Sequence, residues 1–206
     1  MMKRTLFAII LACCTLSVSA QEGGIRVKSQ GAKPTISDFV TAYMNSISEG
    51  DDDCSDESFN AVKQAWNTKR AGKALRKSET LTIDEKNGFV LYENKIDENL
   101  LRVEMCYWNE SDGKHKLFAY NVACYTDLKY SPGQFDGLTF LRYDNATKRM
   151  TYCESPGFEA VMGNNNGEWI SYALPRAGKD ISVTTWLKSG KKQLRQLKFN
   201  GNKFSY

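Results

Sequence analysis

The chain has one histidine, four prolines and no C-x-x-C pair. Each scarcity removes something. With one histidine there is no H-E-x-x-H zinc helix, and without C-x-x-C there is neither a zinc ribbon nor a thioredoxin-like redox motif. G-x-S-x-G and the phosphate-binding P-loop are also missing. Few prolines beside 12% aromatic residues favour strands over disorder. Hydrophobic runs are short as well. The longest, Thr5 to Leu16, is about twelve residues, against the ~20 that span a bilayer.

That short run sits in an informative place. Lys3 and Arg4 precede it, and Val18-Ser19-Ala20 follows with small residues at cleavage positions. This is the anatomy of a secretory signal over residues 1–20, with export to the periplasm or beyond. Export argues against a cytosolic nucleotide-dependent enzyme, a transcription factor or a ribosome partner. Ile10-Leu11-Ala12-Cys13 offers an acylation box, so lipid anchoring through Cys13 is the lesser alternative. Cleavage after Ala20 takes 20 of the 206 residues and leaves 186, enough for one domain with a sizeable core. Without Lys3 and Arg4 the 28 basic side chains become 26 against 24 acidic ones, a net of +2. That balance does not by itself imply a polyanion partner. Cys54, Cys106, Cys124 and Cys153 remain, in an environment that permits disulfides, and three complete pairings are open to them.

Residues 21–34 are polar and Gly-rich and read as a flexible leader before one α+β domain at 35–206. Thr35-Ile36-Ser37-Asp38 opens a first helix with a capping box that uses Asp for Glu. Ile36, Val40, Tyr43 and Ile47 share its apolar face, and Gly50 ends it. A second helix, expected at about 56–77, carries Phe59, Val62 and Trp66. From Glu79 the apolar period changes to two. Nine strands are expected, at 79–84, 88–96, 99–109, 116–125, 137–143, 148–153, 168–174, 181–188 and 192–200. Short turns between many of them imply one large antiparallel meander, open to curling toward a half-barrel, with both helices packed on it.

One register can be read directly. Centring a turn on Asp112-Gly113 sets Leu101, Val103, Met105 and Tyr107 opposite Cys124, Val122, Tyr120 and Phe118, all apolar or aromatic on one face. The same register puts Cys106 opposite Ala119 on the other face, five positions from Cys124, too far for a bridge between them. Asn200-Gly201 would place Phe204 opposite Leu197. A three-residue loop at Gly190 would place Val183 opposite Leu197 and Ile181 opposite Phe199. The 137–153 hairpin has no evident register.

The chemistry is sparse. His115 follows a turn, with Cys106 and Cys124 each nine residues away along diverging strands, so it reads as exposed and without a local nucleophile. The acidic run Asp51 to Glu57 fails the EF-hand pattern at its sixth and twelfth positions. With the bases at 69–77 it reads as the two ends of one helix, each favouring the helix dipole. Glu93 and Glu104 are carboxylates of undetermined separation. The glycines of 163–167 suit a flexible turn. Among Trp66, Trp108, Trp169 and Trp186, Trp108 lies on the face opposite the registered apolar one. It is therefore the candidate ligand contact, as an exposed or groove-lining ring. No catalytic, metal or cofactor residue is assigned. The reading is an exported, non-catalytic binding or interaction module with an unknown ligand or envelope partner, no nucleic acid and no membrane span after cleavage. An extracytoplasmic hydrolase of glycan or peptide is the first alternative, and a structural component of an envelope assembly the second.

Overall fold

A computed structural model describes residues 23–47, 55–133, 136–164 and 166–206. The expected signal segment, the expected helix end at Gly50 and the acidic residues 51–53 lie outside them. Among the described residues, two helices and twelve strands are arranged in three layers, helices, large sheet and small sheet, and the large sheet curls toward a half-barrel. None of the described helices is long and apolar enough to cross a membrane.

Helix α1 (Ile36–Ser46) begins at Thr35, whose backbone N–H donates to Asp38 Oδ2 at 2.9 Å. Its buried face holds Ile36, Val40 and Tyr43 as the spacing predicts, together with Phe39 and Met44. Helix α2 (Ser55–Arg70) buries Phe59, Val62 and Trp66. It stops seven residues before the expected Lys77, for a local reason. Gly72 has φ +69, Lys73 N–H donates to Thr68 C=O, and Gly72 N–H donates to Lys69 C=O, each at 3.0 Å. These bonds form a Schellman motif, in which a left-handed residue satisfies the last carbonyls. Only Lys69 and Arg70 therefore occupy the last helical turn. Lys73, Arg76 and Lys77 follow it, outside the last helical turn. Arg76 instead pairs with Glu79 at 2.5 Å.

The large sheet runs β1 (Ile25–Arg26), β8 (Arg149–Cys153), β7 (Gly137–Asp144), β5 (His115–Thr126), β4 (Asn99–Asn109), β3 (Phe89–Ile96), β2 (Glu79–Asp84), with β6 (Lys129–Tyr130) paired to the end of β5. All its pairings are antiparallel. β1 corrects the leader reading. Ile25 stands opposite Met150, Val27 N–H bonds Lys148 C=O at 2.9 Å, and Val27 is buried.

The β4–β5 register is the one read from sequence, Leu101 opposite Cys124 and Tyr107 opposite Phe118. The loop is wider than a two-residue turn. Glu110 N–H bonds His115 C=O, and Asp112 does not take the positive φ that a type I′ turn requires. Both loops are centred on Asp112-Gly113, so the register is the same. Cys106 faces Ala119, and Cys106, Cys124 and Cys153 are free thiols.

The expected single sheet is instead two. β9 (Trp169–Ala173), β10 (Ile181–Trp186), β11 (Lys192–Phe199) and β12 (Phe204–Ser205) form a separate four-stranded sheet in the order β12-β11-β10-β9. Two of its registers differ from expectation by two residues. Ile181 faces Leu197 because the three-residue loop is Lys188-Ser189-Gly190, with Gly190 at φ +79 as its left-handed third residue. Phe204 faces Phe199 because the two central turn residues are Gly201-Asn202, and Asn200 Oδ1 accepts from the N–H groups of Asn202 and Lys203. A shift of two keeps each side chain on its face, so the apolar pattern alone does not distinguish these registers.

One core lies between the helices and the large sheet, around Phe39, Tyr43, Trp66, Met105, Phe118 and Tyr143. A second lies between the sheets, around Trp108, Leu117, Phe140, Ile181, Leu197 and Phe204. The central strands are thus buried on both faces.

Candidate functional site

Trp108 belongs to the second core, and the expected exposed ring is not there. It is 5% exposed, its Nε1–H donates to Lys179 C=O at 2.9 Å, and its ring packs on Phe199 and Phe204 at 5.9 and 5.3 Å between centroids. The small sheet covers the face that sequence left open. Glu104 lies on the same face. Its Oε1 accepts from Arg102 Nη2 at 2.9 Å, and its Oε2 accepts from Leu174 N–H at 2.8 Å and Asn121 Nδ2 at 3.4 Å. Glu93 reaches the same guanidinium at 3.5 Å, so the two carboxylates are joined through Arg102 rather than facing each other across a substrate gap. Burial raises the Glu104 pKa, against the pull of Arg102.

The described thiols, Cys106, Cys124 and Cys153, are unsuited to nucleophilic work. Burial raises Cys106 well above its ordinary value and Cys153 to a lesser degree. Burial, helped by Asp136, pushes Cys124 up to about 12. Little thiolate is present near neutral pH. His115 is better connected than a turn residue read from sequence suggested. Its Nδ1 is 2.5 Å from Asp112 Oδ2, and Nε2 is 3.8 Å from Asp144 Oδ2 on the neighbouring strand. The hydrogen bond from His115, reinforced by the N–H groups of Lys114 and His115, holds the Asp112 carboxyl down to about 2.

The solvent-facing tryptophan is Trp169, 48% exposed. Strand pairing sets Trp169 opposite Trp186 and Trp186 opposite Lys192, so the three form a row across β9, β10 and β11. Lys192 Nζ lies 4.1 Å from the centroid of the Trp186 ring, a cation–π contact. Trp186 is held in place by its Nε1–H, which donates to Ser171 Oγ at 2.8 Å, and by the rings of Tyr125 and Tyr130. Trp169 rests on a shaped loop. Gly163 bridges to it, and a Cβ there would sit 3.4 Å from its ring atoms. Asn164 Oδ1 accepts from the N–H groups of Asn166 and Glu168. The described residues of the glycine-rich stretch, Gly163, Asn164, Asn166 and Gly167, are thus tied to one another and to the segment that carries the ring. Nearby in sequence, Leu194 and Tyr206 are 76% and 69% exposed, with Arg195 over the Tyr206 ring at 6.0 Å. From Ile181 to Tyr206 there are six basic residues and no acid.

No family model, curated protein or solved structure matches this chain.

Proposed function

We propose that this protein is an exported, non-catalytic binding module whose ligand is an extended acidic glycan taken on the small sheet. The observation that carries the reading is the row Trp169, Trp186, Lys192, an accessible ring and a cation-capped ring set in adjacent strands. Indole faces suit the C–H faces of sugar rings, and the acid-free stretch from Ile181 to Tyr206 complements carboxylate or sulfate groups. The protonated thiols of Cys106, Cys124 and Cys153 and the protein-satisfied Glu104 favour binding over hydrolysis.

The experiment is retention of the purified chain on acidic and neutral polysaccharides at several salt concentrations, with wild type, Trp169→Ala and Lys192→Ala/Arg195→Ala. Wild type should be retained by acidic chains and released as salt rises. Trp169→Ala should weaken binding roughly five- to tenfold, about 1–1.4 kcal/mol for one stacked ring. Equal retention of wild type and both variants would remove the small sheet from the reading. Shortened glycan products would favour the hydrolase instead.

A further inference from the structure

We propose that Glu110, Asp112 and His115 form a binding site for a divalent transition-metal cation of the zinc type. Their ligating atoms all lie within 4.8 Å of one another. One imidazole nitrogen and two carboxylate oxygens form a donor set that zinc accepts, at bond lengths of ~2.0–2.2 Å. Ligands on one tetrahedral ion are roughly 3.3 Å apart by that geometry. The 2.5 Å pair, Asp112 Oδ2 and His115 Nδ1, must open slightly, and Glu110 must move in.

The groups behind these ligands make the arrangement more than a cluster of charges. Ligating histidines usually present their other ring nitrogen to a carboxylate, and ligating carboxylates are themselves hydrogen-bonded. With Nδ1 toward the ion, Nε2 faces Asp144 Oδ2 at 3.8 Å. Arg142 Nη2 holds Glu110 Oε1 at 2.9 Å and leaves Oε2 to turn toward an ion. Asp112 Oδ1 accepts from Lys114 N–H at 2.8 Å and His115 N–H at 3.0 Å, which orients Oδ2. All of these come from the β4–β5 loop, the first residue of β5 and the adjoining strand β7. Two clefts meet at His115. One, of about 540 Å³, is also lined by Glu110, and the other, of about 300 Å³, by Asp144. They provide an entry path and room for water or a ligand oxygen at the remaining coordination positions.

Because the chain has one histidine, its ring is a direct reporter. The test is zinc titration of tag-free, chelator-treated protein, followed by the ¹⁵N and ¹H resonances of the His115 ring. The Nδ1 resonance should move and saturate near one equivalent. Asp112→Asn and Glu110→Gln should each weaken the zinc affinity at least tenfold, and Asp144→Asn, which removes only the supporting carboxylate, roughly 10–100-fold. His115→Ala should abolish the site while far-UV circular dichroism stays native. If that variant misfolds, the Asp144→Asn affinity decides the matter. A ring resonance unmoved by excess zinc, or an affinity unchanged in Asp112→Asn and Asp144→Asn, would overturn the proposal and place any bound zinc elsewhere, such as on the thiols.

Discussion

Glu104 is a carboxylate between two sheets, and its hydrogen-bond donors are Arg102, Asn121 and the Leu174 N–H. Removing one partner of a buried, bonded pair leaves the others unsatisfied. Glu104→Ala should therefore cost about 3 kcal/mol or more in urea unfolding. The pH dependence has a definite sign. The folded pKa is raised, so the folded state keeps the proton to a higher pH than the unfolded chain does. The stability this contributes is fully present below the unfolded pKa and is lost as pH rises through the folded one. Glu104→Gln removes that titration. As pH rises above the ordinary carboxylate range, the stability of wild type minus that of Glu104→Gln should fall. A rising difference would mean that Arg102 outweighs burial. Trp108 and Trp169 show the residue-level limit of sequence. Periodicity says that Trp108 lies on the second face of β4. What covers that face is another strand set more than sixty residues later.

At the scale of elements, α1 is fastened mainly by aromatic contacts. The fully buried Phe39 ring lies 5.2, 5.9 and 5.1 Å from the rings of Tyr107, Phe118 and Tyr143, which come from three strands. Phe39→Ala should lower unfolding free energy by about 3–5 kcal/mol. A loss under about 1 kcal/mol in denaturant titration would show that the helix does not dock on these strands. The helix faces and the β4–β5 register were legible because one buried face imposes a period and Asp112-Gly113 marks a centre. The α2 end was also written locally, in Ala71-Gly72, but basic residues on both sides disguised it as continuing helix. The β10–β11 and β11–β12 registers were less legible. Shifting them by two residues keeps every side chain on its face, and the observed β10–β11 register even sets Val183 opposite Arg195, so the turn backbone at Gly190 and Gly201 decides where apolar matching does not.

At the scale of the molecule, the large sheet has apolar layers on both sides, so loss of either layer exposes its central strands. We expect one cooperative unfolding transition. Tryptophans in helix α2, in the inter-sheet core and on the small sheet give a fluorescence signal from each layer. Fluorescence and far-UV circular dichroism should trace coincident denaturant curves. An earlier transition in fluorescence alone would mark the small sheet as a separate folding unit.

The amino-acid sequence by itself determined the class of structure, two helices followed by antiparallel strands, and the residues that face the first core. These follow from local period, caps and turns, which act over a few residues. Tertiary structure decided that the strands divide into two sheets, that Trp108 is core while Trp169 is surface, and that His115 stands between Asp112 and Asp144. A strand's second face is apolar or solvent-facing according to what packs on it. An antiparallel meander already sets β7 beside β5, but the register that brings Asp144 opposite His115 is fixed by pairing across the sheet, with no turn motif to mark it.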